Sequence, residues 1–306
     1  MHTLFSPDNR LFALARSGRR LPPVWLAIIL GTVGLFVLLI SGTLLGAAIA
    51  NVLLPGYDAE PASLRAAAGQ AVLLIVPFAV PVLGLWGWVR GYEGRGFASL
   101  GFASPSGGAR YGRGFLLGVL SFAATVGLLA AFGLLGIEGG GTQGGIAALG
   151  PVLLVLAGWL VQGAAEEIVT RGWLMSVVGA RSRPWVGVAV SSAVFGLLHS
   201  LNPGVNPFGV LNTVLVGVFL ALYALAEGGL WGVCAWHSAW NWAQGNLFGI
   251  SVSGVTPLGG SLVDFATLGP DWFTGGAYGV EAGVVTTFVL LLGIAAILLV
   301  ARGDGR

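Results

Sequence analysis

The sequence predicts an all-α protein: a polytopic transmembrane helical bundle of about eight spans with both termini in the cytoplasm. Three observations predict it. First, 56% of the 306 residues are hydrophobic and 8% are charged, where a soluble domain carries about 25% charged residues; mean hydropathy is +0.90. Second, the apolar residues gather into runs near the ~20 residues that a membrane helix needs. Third, the arginines fall almost entirely in alternate connections between those runs.

The runs lie at 24–54, 66–89, 114–136, 151–178, 185–199, 209–226, 230–247 and 282–301. The first is too long for the ~7–15-residue core of a signal peptide. The fifth is short and the fourth carries charge. Arg10, Arg16, Arg19 and Arg20 precede the first run, and Arg90, Arg95, Arg110 and Arg113 separate the second from the third. Arg171, Arg181 and Arg183 lie at or beyond the end of the fourth, and Arg302 and Arg306 follow the eighth. With eight spans all of these share one side, and only Arg65 falls on the other; seven or nine spans would break the pattern. The positive-inside rule makes the arginine side cytoplasmic, so the chain is expected to be an integral protein of the cell membrane. The expected organisation is a cytoplasmic tail (1–23), one transmembrane domain (24–301) and a short cytoplasmic tail (302–306). The outer segment 248–279 is rich in Gly, Ser, Thr and Pro. It reads either as a lid folded back over the bundle or as an exposed loop.

Composition also excludes. The pI near 9.0 and net charge of +2 are too mild for a nucleic-acid partner. The single cysteine, Cys234, rules out an internal disulfide and a Cys-rich metal site and reads as a small buried packing residue. Glycines at Gly42-x-x-x-Gly46 and Gly114-x-x-x-Gly118 are spaced for close helix contact. The partners implied are the lipid bilayer and a substrate; oligomeric state is not legible.

Against this background, three stretches place ionisable groups inside apolar helices: Glu166-Glu167-Ile168-Val169-Thr170-Arg171, Phe195-Gly196-Leu197-Leu198-His199 and His237-Ser238-Ala239-Trp240-Asn241. A charge at the centre of a membrane helix costs roughly 2.5–3.5 kcal/mol on insertion scales, so such residues mark functional sites by default. Residues four apart share a helix face. Glu167 and Arg171 can therefore pair, which leaves Glu166 on another face, free of the arginine. Phe195 can pack beside the His199 imidazole. His237 and Asn241 can both donate towards one point, while Trp236, Trp240 and Trp242 read as packing or interface residues. At a rise of about 1.5 Å per residue, Glu166 lies roughly 18 Å from the cytoplasmic end of its span, His199 roughly 21 Å, and His237 and Asn241 roughly 10–17 Å. The depths overlap, so one shared site is feasible.

A carboxylate, an imidazole and a second pair of donors suit hydrolysis. Glu166, with His199, would take a proton from water, and His237 with Asn241 would stabilise an oxyanion. Glu166, His199 and His237 also suit Zn²⁺, which would then activate the water, although His-Glu-x-x-His is absent. Gly-x-Ser-x-Gly is absent too, and Ser238 points to a different face from His237. Two other classes compete: a transporter using the buried charges as an ion or substrate site, and a non-catalytic membrane scaffold.

The three stretches resemble the Glu-Glu-x-x-x-Arg, Phe-x-x-x-His and His-x-x-x-Asn motifs of the CAAX protease and bacteriocin-processing (Abi) family of intramembrane proteases, in the same order. Gly172, Ser192-Ala193 and Gly229-Leu230-Trp231 agree as well, so the resemblance covers about residues 150–250. It implies an eight-helix endopeptidase, similar to the enzyme that trims prenylated CAAX proteins, acting on a peptide or lipidated protein. Carried over, Glu166 and His199 would activate water, His237 and Asn241 would form the oxyanion hole, and Glu167 and Arg171 would shape the site. Thr170 stands where many members have an aromatic residue.

Overall fold

The computed structural model describes residues 4–137 and 145–303. The last three residues of the expected C-terminal tail, including Arg306, lie outside the described residues. Helix α1 (Arg10–Arg16) is started by Asn9, whose side chain accepts from the Leu11 backbone N–H. The bundle then runs through α2 (Val24–Leu53), α3 (Leu64–Glu93), α4 (Gly107–Ala131), α5 (Ile146–Arg181), α6 (Pro184–His199), α7 (Pro207–Glu227), α8 (Trp231–Trp242) and α9 (Val284–Gly303). Local chemistry sets several boundaries. Ser63 and Asn206 cap α3 and α7 by accepting backbone N–H bonds, and Pro184 and Pro207 occupy first-turn positions where no N–H is needed.

Among the described residues, six helices (α2, α3, α4, α5, α7 and α9) are long and apolar enough to cross a membrane. The other two expected spans are shorter. Helix α6 has 16 residues, and α8 has 12 followed by one wider turn at Ala243–Leu247. Sixteen residues reach only about 24 Å, less than the ~30 Å hydrocarbon thickness. These two short helices carry His199 and His237, and each packs against a longer helix: α6 on α7, and α8 on both α4 and α5.

Close packing rests on small residues. A Cβ on Gly42 would lie 2.7 Å from the Pro77 Cα of α3. One on Gly118 would collide with the Trp236 carbonyl and lie 2.8 Å from the Ala239 Cβ, and Gly114 abuts the Gly232 backbone. Both glycine pairs noted in the sequence therefore sit at helix contacts. Gly163 of α5 does the same against α8, where a Cβ would lie 2.6 Å from the Ser238 nitrogen.

One end of the bundle gathers much of the arginine. Asn9 reaches the Leu225 carbonyl, Arg110 the Glu227 carbonyl, and Arg181 the carbonyls of Leu21 and Pro22. At the opposite end Asn212 donates to the carbonyls of Glu281 and Gly283, so α9 begins there and runs back. The expected third span, 114–136, is displaced: α4 starts at Gly107 and ends at Ala131. After Gly133 (φ 70°) the chain forms strand β1 (Leu135–Ile137), which pairs antiparallel with β2 (Phe265–Thr267) in the register Leu135↔Thr267. This small ribbon is the exception to an all-α fold. It ties down the segment after α8, which is packed rather than loose: Ile250, Val252, Ser261, Thr274 and Tyr278 are buried. Val252 and Ser253 line a cavity between the helices.

Candidate active site

Helix α5 delivers two carboxylates in different directions. Glu167 and Arg171 are both fully buried, and Arg171 Nη1 donates to Glu167 Oε1 at 2.9 Å. Four-residue spacing puts them on one face, as expected. Arg171 also donates to Thr170 Oγ1 (2.7 Å) and to the Gly217 carbonyl of α7 (3.1 Å), and its guanidinium stacks 4.5 Å from the Phe195 ring centre. The helix widens into π-helical geometry across Ile168–Met175, a distortion common at functional sites.

Glu167 does more than neutralise an arginine. The same Oε1 bonds His237 Nδ1 at 2.9 Å, so the carboxylate couples α5 to α8 and orients the imidazole. The Nε2 of His237 then points to Glu166, 3.6 Å from Oε2. From α6, His199 presents its own Nε2 to the same oxygen at 4.0 Å. Its Nδ1 lies 2.9 Å from the Phe195 carbonyl. A carbonyl only accepts, so Nδ1 carries the hydrogen and a neutral His199 offers the Nε2 lone pair to the site. The Phe195 ring packs beside His199 at 4.3 Å and meets His237 edge-on at 6.1 Å.

Asn241 has a partner that the sequence reading did not name. Its amide donates to Gln162 Oε1 at 2.9 Å, one turn before Glu166 on α5. Gln162 was not singled out in the sequence; its signal is the i, i+4 spacing from Glu166 in an otherwise apolar helix. Ser238 bonds the Cys234 carbonyl, away from the carboxylates, and Cys234 is buried. Trp236 and Trp240 stack on each other at 4.9 Å, but both also line the site.

Glu166, His199, His237 and Asn241 open onto one cavity of about 430 Å³. Glu166 Oε2 is buried and has no hydrogen-bond partner among the described residues. Its distances to the two imidazoles exceed direct hydrogen bonds and suit a bridging water. The Zn²⁺ reading required Glu166, His199 and His237 to gather as ligands. Among the described residues no group of three or more His, Cys, Asp or Glu side chains is arranged to hold a metal.

Residues 148–243 match the model of the type II CAAX prenyl endopeptidase Rce1-like family. Over these residues the chain is similar to that family. No curated protein and no solved structure matches the chain. The Rce1-like stretch contains all seven residues singled out in the sequence, and Gln162.

The cavity extends beyond that stretch. Ser253 and Glu281, from the segment joining α8 to α9, also line it. Glu281 Oε1 accepts from the Ser253 N–H and from Ser253 Oγ (2.6 Å). Burial pushes the Glu281 carboxyl up to about 7, against partial relief from the two Ser253 bonds and from His237. Sequence reading missed both residues, because nothing local marks a loop carboxylate as facing a site built from distant helices.

Proposed function

We propose that the protein is an intramembrane endopeptidase that hydrolyses a peptide bond of a membrane-associated or prenylated substrate with a water molecule activated by Glu166. One observation carries this reading. A buried carboxylate oxygen without a hydrogen-bond partner among the described residues faces the Nε2 atoms of two histidines, at 3.6 and 4.0 Å, in one cavity between the helices.

Water held between Glu166 and His199 attacks the scissile carbonyl carbon as its proton passes to Glu166. The developing oxyanion lies against His237 and Asn241. With Nδ1 bonded to Glu167, a protonated His237 presents Nε2–H to that oxygen, and the Asn241 amide is oriented by Gln162. Glu166 then returns the proton to the leaving nitrogen as the C–N bond breaks, giving a carboxylic acid and an amine. General acid–base help contributes typically 10²–10⁴-fold, and an oxyanion donor about 10²–10³-fold. Glu167 and Arg171 position the site. The arginine distribution supports eight spans and cytoplasmic termini in the cell membrane.

The test is cleavage of a farnesylated CAAX peptide and of a membrane-spanning peptide by protein in liposomes. Glu166→Gln and His199→Ala should each lower the rate at least ~100-fold at normal folded yield. Wild-type rates in both variants would sink the assignment. Metal content of the purified protein and cleavage after chelator treatment test the Zn²⁺ alternative.

A further inference from the structure

Two carboxyl groups line the cavity, Glu166 and Glu281. The third carboxylate nearby, Glu167, is neutralised by Arg171. None of the residues lining the cavity is an arginine, and the chain has no lysine. Apart from the two histidines, the cavity therefore presents no cation to an incoming substrate.

The Glu281 end of the cavity has the features of a built site. Both hydrogen bonds from Ser253 fall on Glu281 Oε1, which leaves Oε2 as the available acceptor. Beside it stands Tyr278, 1% exposed, whose hydroxyl has no hydrogen-bond partner among the described residues. Tyr278 is close enough to Ser253, Thr213 and Glu281 to feel each of them, and burial with the Glu281 charge keeps its phenol protonated. An ammonium or guanidinium brings several N–H donors and a charge. It would satisfy the carboxylate from inside the cavity, whose lining includes Glu281 and Ser253 but not Tyr278.

We infer that Glu281, with Ser253, forms a subsite for a lysine or arginine side chain of the substrate near the scissile bond. The inference deepens the protease reading and rests on it for the word substrate; the cation subsite itself is a binding claim. It also lies outside the Rce1-like stretch, which ends at residue 243.

The test separates the two. Full-length protein carrying Glu166→Gln is purified, so that Glu281 is the one cavity-lining glutamate left and any peptide survives. Binding is measured for amidated apolar peptides with a single lysine stepped through three positions on either side of a central bond, against norleucine and acetyl-lysine controls. At least one lysine position should bind ~10-fold tighter than its controls. Adding Glu281→Gln, which retains an acceptor for Ser253, should bring that ratio to about one. Equal binding of lysine and its controls at every position, or a lysine preference that survives Glu281→Gln, overturns the subsite. In parallel, wild-type protein is tested for cleavage of the best-bound peptide. Tight, Glu281-dependent binding without cleavage would overturn the protease reading and leave the cation subsite standing.

Discussion

At the scale of single residues, one oxygen organises the site. Glu167 Oε1 accepts from both Arg171 and His237, at 2.9 Å each. Removing its charge leaves a fully buried arginine uncompensated, a loss that typically costs about 3–5 kcal/mol. Glu167→Gln should therefore lower folded yield and thermal stability in detergent together with activity. Full yield with a selective loss of activity would instead move Glu167 into the reacting groups. Glu281 makes a second prediction. Its carboxyl titrates near about 7 in the fold, above the usual 4.5. Protonation is thus favoured by folding, and the stability this contributes is complete below about pH 4.5 and lost as pH rises through 7. Binding of a lysine peptide needs the ionised form, so its affinity should rise between about pH 6 and 8. His199, His237 and Glu166 face the same cavity, so the control is Glu281→Gln, in which the part of the rise due to Glu281 should vanish. Of these residues, the Glu167–Arg171 pair was legible because it is local: two charges four apart on one helix need nothing else to meet. The bond from Glu167 to His237 was not, because it joins α5 to α8 and depends on how closely those helices approach.

At the scale of elements, that approach is set by glycine. Gly163 lets the α5 backbone lie against Ser238, beside His237. A methyl group there would have to displace backbone, because the nearest atoms include the Ser238 nitrogen and Cα. Overpacking of this kind costs typically 1–3 kcal/mol. Gly163→Ala should separate the helices enough to stretch the Glu167–His237 bond, lowering cleavage ~10-fold or more while the bundle still folds. Equal activity in Gly163→Ala would show that α5 and α8 need not touch this closely. The signal was thin in the sequence, where 52 glycines make any one of them unremarked. The short length of α6 and α8 was half legible. Apolar runs marked both helices, but not that each is shorter than a bilayer and sheltered by longer neighbours. The π-helical stretch after Glu167 was not legible, and no local signal in the sequence marks it.

At the scale of the whole molecule, the bundle is polarised. Arginines of α1, α4 and α5 gather at one end, and the β1–β2 ribbon and the segment covering the cavity lie at the other. If the arginine end is cytoplasmic, the Glu281 end of the cavity is the outer one. A cysteine placed at the half-exposed Val263, in intact cells, should react with a membrane-impermeant maleimide, because the native Cys234 is buried and silent. Labelling that requires permeabilised cells would invert the topology.

The sequence by itself determined that this chain spans a membrane, that its arginines gather in alternate connections, and which six polar residues of the candidate site break its apolar helices. Composition and periodicity are sums over neighbours along the chain, and those properties are local. Only the tertiary structure decided that Glu167 holds His237, that Gln162 holds Asn241, and that a loop carboxylate at Glu281 shares the cavity with Glu166. Each of these joins separate elements, and whether two elements touch depends on backbone approach and packing, which no single stretch of sequence encodes.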